Sequence, residues 1–137
     1  MRKIRAIICI FLFASSGWLL SDAKANSLKE YPLEKNVHDS DIVILGTVRE
    51  INLPYISDGM TSKYAKVKVL DILKGQASET VGVLYKTGIS ERDPDCCVVG
   101  ETYLFLLTRI NGEVFISVNG KFAVRNTTAK SAVQDRE

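Results

Sequence analysis

From residue 41 onward the apolar positions recur at a spacing of two, in short runs separated by Gly, Pro, Asn and Asp, which is the pattern of strands and turns. Asp41 to Ile51 is the first predicted strand: Ile42, Val43, Ile44, Leu45, Val48 and Ile51 are β-formers, and Gly46 interrupts them where a bulge or tight coil fits. Residues 52–62, with Pro54, Ser57, Asp58 and Gly59, read as a loop. The alternation is clearest from Lys63 to Leu73. Ala65, Val67, Val69 and Leu73 share the predicted core face, Tyr64, Lys66, Lys68 and Leu70 the other, and Asp71 breaks the inward set. Lys74-Gly75-Gln76 is a turn, and Thr80 to Lys86 is a third strand with Val81, Val83 and Tyr85 on one face. Residues 87–100 are irregular. Thr102 to Ile110 and Glu113 to Val118 form a hairpin about Asn111-Gly112. After Asn119-Gly120, Lys121 to Val124 is predicted as a short closing strand. Ahead of all these, residues 26–40 are polar, and Leu33 to Ser40 after Pro32 suits one or two turns of helix.

Five strands over residues 41–124, the first long and broken by a glycine, predict an all-β fold: a five-stranded OB-type Greek-key barrel with small helical additions. An open β-sandwich is the alternative, since both bury one face of each strand. A flexible polar tail, residues 125–137, follows.

The first 25 residues follow a different pattern. Arg2, Lys3 and Arg5 precede an apolar run from Ala6 to Leu20, and Ala23-Lys24-Ala25 is a small-x-small cleavage site, so residues 1–25 read as a signal peptide cut between Ala25 and Asn26. The apolar run falls short of the roughly 20 residues that span a bilayer. The expected compartment is therefore extracellular or periplasmic. No second hydrophobic run follows Leu20, so no membrane association is expected once the leader is gone.

Removing the leader changes the charge. The whole chain carries a formal +2, but the 112 residues after Ala25 hold 14 Lys and Arg against 15 Asp and Glu. A near-neutral domain lacks the electrostatic grip that nucleic acid or anionic lipid requires, so no nucleic-acid partner is expected. Tyr64, Lys66 and Lys68 stand where an OB barrel would hold a nucleic acid, and read here as a solvated strand face.

Cys9 leaves with the leader, and Cys96 and Cys97 remain, adjacent in sequence. An oxidising compartment favours disulfides, yet neighbouring Cα atoms are about 3.8 Å apart, below the usual range of about 4.4–6.8 Å. Three states stay open: thiols that cycle with a bridge between neighbours, a strained bridge, and a link to a second chain that makes a homodimer.

Three segments together resemble the netrin-like, or tissue-inhibitor-of-metalloproteinase-like, superfamily. They are Asp39-Ser40-Asp41-Ile42-Val43-Ile44-Leu45-Gly46-Thr47-Val48, then Val67-Lys68-Val69-Leu70-Asp71-Ile72-Leu73-Lys74-Gly75, then Cys97-Val98-Val99-Gly100-Glu101-Thr102-Tyr103-Leu104-Phe105-Leu106. The resemblance covers roughly residues 36–124 and implies an OB barrel. Inhibitors of that family chelate a protease's zinc through a processed N-terminal cysteine in a disulfide-anchored Cys-x-Cys start. Here the expected N-terminus is Asn26-Ser27 with no cysteine before residue 96, so the scaffold carries over and that mechanism does not.

The remaining chemistry points away from catalysis. Acyl transfer needs a nucleophile beside a base, and the single histidine, His38, lies before the first strand and reads as a surface or capping residue. No His/Cys spacing suits zinc. Glu91, Asp93 and Asp95 lack EF-hand spacing and read as a solvated loop. The sequence thus predicts no catalytic residues, cofactor or metal. It predicts a protein-binding module whose contacts come from residues 52–62 and 87–100, with Tyr55, Ile56, Met60 and Arg92 as contact candidates. A thiol-redox protein using Cys96 and Cys97, and a structural module joined by an intermolecular disulfide, are the alternatives.

Overall fold

In a computed structural model of the chain, residues 28–127 are described. The predicted leader, its Ala25/Asn26 cleavage site and residues 128–137 of the tail lie outside them. The chain forms one short helix, α1 (Leu33–Asp39), and six strands: β1 (Ile42–Ser57), β2 (Met60–Lys74), β3 (Thr80–Lys86), β4 (Thr102–Asn111), β5 (Val114–Ser117) and β6 (Val124–Asn126). The all-β class is as expected. Antiparallel pairs β1–β2, β2–β3, β4–β5 and β1–β4, with the parallel pair β3–β5, join five strands into a closed ring. β6 adds to β4 outside it, Tyr103 opposite Asn126.

The ring encloses the main core. Ile42, Ile44 and Val48 of β1, Ala65 and Val67 of β2, Val81, Val83 and Tyr85 of β3, Tyr103, Phe105 and Leu107 of β4, and Phe115 of β5 are buried there together. A smaller cluster of Val43, Leu106 and Ala123 lies apart from this core, with Val37 of α1 packed on it. The glycine in β1 has a steric reason: a Cβ at Gly46 would collide with Val67 Cγ1 and sit 3.2 Å from the Lys68 carbonyl oxygen.

Four expectations are corrected. Residues 52–62 are not a loop. β1 and β2 run on as a hairpin to the two-residue turn Asp58-Gly59, whose φ values of 50° and 73° are those of a type I′ turn. Pro54 is tolerated because β1 pairs with β4 only up to Thr47, which leaves the strand an edge beyond that point. Leu73 is not in the core but 60% exposed. The β1–β2 register slips between Val43 and Ile44 and between Leu45 and Gly46, so the parity set by Ala65 and Val67 does not carry through to Leu73. Lys121 to Val124 is not a strand. Gly120–Ala123 is a 3-10 turn, and β6 follows it, drawing Arg125 and Asn126 out of the expected tail.

Helix α1 begins directly after Pro32, as the sequence suggests, and ends on a lysine from β2. Lys74 Nζ donates to the carbonyl oxygens of Val37 (2.8 Å), His38 (3.0 Å) and Ser40 (2.6 Å). The Val37 carbonyl also accepts from the Ser40 N–H at 3.3 Å, the His38 carbonyl is one that a helix end leaves without an intrahelical partner, and a cation there meets the negative end of the helix dipole. Lys74→Met should lower stability by about 1–2 kcal/mol, as read by urea denaturation. An unchanged midpoint would show that the cap contributes nothing.

Candidate partner-binding groove

The hairpin and the chain after β3 meet over one face of the ring. Leu84 alternates with the core residues Val83 and Tyr85 and falls outside the enclosed core, yet it is only 4% exposed. It forms part of a groove of about 220 Å³ with Ile116 of β5. Tyr55, Met60 and Ser62 bring the hairpin to the groove; Thr87, Ile89 and Arg92 line it from the other segment, and Ile110 from the end of β4. Met60, Ile89 and Ile110 keep 59%, 40% and 43% of their surface exposed.

The segment after β3 is fixed by its own hydrogen bonds. Asp93 Oδ1 accepts from the Thr87 backbone N–H (2.9 Å) and hydroxyl (2.8 Å), the Ile89 N–H donates to Thr87 Oγ1, and the Arg92 N–H donates to the Ile89 carbonyl. These bonds hold Ile89 and Arg92 in place. Asp93 is thus engaged as a turn former, and among the described residues no group of three His, Cys, Asp or Glu side chains is placed to hold a metal ion.

Of the predicted contact residues, Tyr55, Met60 and Arg92 come together in the groove. Ile56, 73% exposed, stands beside Tyr55 on the hairpin but does not line it. Leu84, Ile89, Ile110 and Ile116 are lining residues that the sequence reading missed. The signal for Leu84 was the absence of any polar side chain from Val81 to Tyr85, which implies cover on both faces of the strand.

Cys96 and Cys97 lie elsewhere. They are joined by a disulfide across a cis peptide bond, so in this state neither sulfur is free for a link between chains. Cys97 is buried in the core cluster and Cys96 packs against it. The turn that follows is braced: the Val98 N–H donates to the Tyr103 hydroxyl (3.0 Å), which donates to Glu101 Oε2 (2.8 Å), and Glu101 Oε2 also accepts from Asn126 Nδ2 (2.7 Å). The Gly100 N–H donates to the Val48 carbonyl and the Val48 N–H to the Glu101 carbonyl, which ties the turn to β1. Residues 87–100 therefore divide into a groove half and a half braced against β1 and β4.

Burial, reinforced by the Glu101 carboxylate, pushes the Tyr103 hydroxyl above its ordinary range. A raised folded pKa gives stability that is present below the ordinary tyrosine value of 10.0 and lost as pH rises through the folded value. Tyr103→Phe should cost about 1–2 kcal/mol at neutral pH. The gap between variant and wild type should narrow above pH 10.0 and stay constant below it. A gap independent of pH through that window would contradict the assignment.

His38 is exposed in the last turn of α1, its Nδ1 3.2 Å from Asp39 Oδ1. Lys66 pairs with Glu50 at 3.8 Å. The Tyr64 ring lies over Gly82, where a Cβ would come within 3.0 Å of it. No helix among the described residues is long and apolar enough to cross a membrane. No protein-family model matches this chain, and no curated protein matches it.

Proposed function

We propose that this protein is an exported, non-enzymatic protein-binding module, secreted or periplasmic, on an OB-type Greek-key barrel of the netrin-like or metalloproteinase-inhibitor-like kind. The strand order β1-β2-β3-β5-β4, closing back on β1, supports the barrel reading. The residues behind the family resemblance have scaffold roles consistent with it: Lys74 caps α1, Gly75 lies against the Asp41 carbonyl, and Tyr103 braces the turn before β4. The observation that carries the binding reading is the groove itself, where apolar side chains from two segments distant in sequence are held half-exposed on a fixed frame.

The test is capture from the native extracellular or periplasmic fraction, with wild type, Met60→Asp, Ile89→Asp and the control Leu70→Asp as baits. Leu70 is also exposed, at 52%, but lies away from the groove. The expected result is one protein held by wild type and the Leu70 variant and retained at least about tenfold less by the two groove variants. Equal retention by all four baits would overturn the reading. A second reading, thiol–disulfide exchange at Cys96–Cys97, draws on the disulfide and on the partial exposure of Cys96. Intact mass with and without alkylation, before and after mild reduction, tests it.

A further inference from the structure

We infer that the partner seated on the groove is a second copy of this chain, related by a two-fold axis that runs along the groove and sets Asp58 of each copy against Arg92 of the other. This rests on the groove being the partner site.

The charge pattern of the groove is self-complementary. Asp58 and Arg92 are the charged side chains that line it, one of each sign. They enter from different segments, Asp58 from the tip of the β1–β2 hairpin and Arg92 from the chain after β3, and among the described residues neither forms an ion pair, with the other or with any third group. An isologous interface turns one patch through 180° onto itself, so whatever a residue meets must meet that residue in return. Rotation about the groove brings the hairpin tip of each copy to the post-β3 segment of the other, and two identical Asp58–Arg92 pairs form at once. A patch of a single sign would repel its own copy.

The rest of the lining carries no charge, and its residue types suit such a contact. Tyr55, Met60 and Arg92 are of the kinds enriched at protein interfaces, while no lysine or glutamate lines the groove, although Lys63, Lys66, Lys68 and Lys86 are exposed elsewhere. Met60, Ile89 and Ile110, half-exposed in one copy, are covered by the same three side chains of the other. Both charged residues are already placed, Asp58 by its turn and Arg92 by its N–H bond to the Ile89 carbonyl, so pairing has little backbone left to order. With 14 Lys and Arg against 15 Asp and Glu after Ala25, two copies also approach without the long-range repulsion that keeps strongly charged chains apart.

Sedimentation equilibrium of the purified chain from about 5 to about 500 µM should show the mean mass rising from near one chain toward two, with a Kd on the order of 10–100 µM for so small a patch. Pairing should weaken as salt rises from about 50 to about 500 mM. The axis uses each residue twice, so Arg92→Glu and Asp58→Lys should each weaken self-association at least about tenfold. Mixed in equal amounts, the two variants should pair with one another about as tightly as wild type pairs with itself, because each supplies the charge the other lacks. Asp58→Asn keeps a residue type suited to the turn's φ of 50°, so it should weaken pairing without lowering Tm, which separates lost pairing from a damaged hairpin.

A monomer throughout that range, a dimer unchanged by Arg92→Glu and Met60→Asp, a dimer that dissociates only on reduction, or folded variants that do not regain pairing when mixed would each overturn the inference. In capture from the native fraction, a tagged bait should hold the untagged chain itself. If the chain stays monomeric while Met60→Asp and Ile89→Asp abolish capture of a different protein, the groove reading stands and the second copy does not. If those two variants also capture normally, both fall.

Discussion

Val67→Asp should leave the domain unfolded at room temperature, while Lys68→Asp, one residue along the same strand, should melt within a few degrees of wild type. Val67 is fully buried inside the ring, in the core cluster with Val81 and Phe105, and its Cγ1 occupies the space a Cβ on Gly46 would need. An unpaired carboxylate there costs several kcal/mol, on the scale of the roughly 5–15 kcal/mol that holds a small domain together. Lys68 is exposed opposite Thr47 and Thr80 and makes no ion pair among the described residues, so its replacement should stay within about 0.5 kcal/mol. Circular dichroism melts of the two variants check this. Similar melting temperatures would mean that the strand's faces are misassigned.

The second large effect is expected at Gly75. Its φ of +76° is in the left-handed region, where a side chain costs about 1–2 kcal/mol, and a Cβ would also run into the Asp41 carbonyl oxygen and come within 3.0 Å of Ile42 Cγ2. Asp41 has little freedom to yield. Its N–H donates to the Leu107 carbonyl at 2.8 Å, and its Oδ2 accepts from the Arg109 N–H at 2.8 Å. Gly59 provides the control: its φ of +73° is nearly the same, with nothing within 4 Å of its Cβ position. Gly59→Ala should cost about 1 kcal/mol, and Gly75→Ala about 3 kcal/mol or more once the collision adds to the dihedral strain. At about 4–8 °C per kcal/mol for a domain of this size, the difference should appear as a gap of roughly 10 °C in Tm. Equal losses at the two positions would show that Asp41 moves aside.

Much of the ring was legible because the two faces of its strands differ. Thr80 to Lys86 was bounded correctly, since charged or polar residues flank a continuous apolar run. The hairpin was missed for a chemical reason: Pro54, Ser57, Asp58 and Gly59 all favour turns, yet only Asp58-Gly59 turns, and Pro54 sits on an edge that asks for no hydrogen bond. Leu73 was misplaced because a period-two argument fails beyond a slip in register.

The groove was half legible. Tyr55, Met60 and Arg92 stood out as unusual residues in expected loops. Leu84, Ile110 and Ile116 did not, because a strand residue on the outer face looks like any other apolar position until the neighbouring hairpin is seen to cover it.

The binding claim is tested most directly by photo-crosslinking in the native exported fraction, with benzophenone-phenylalanine placed singly at Met60, Ile89, Ile110, Leu70 and Val98. All five positions are exposed, between 40% and 59%, so reagent access does not separate them. The account predicts a single partner adduct from Met60, Ile89 and Ile110 and none from Leu70 or Val98. Adducts confined to Leu70 or Val98, or no specific adduct at any of the five, would contradict it.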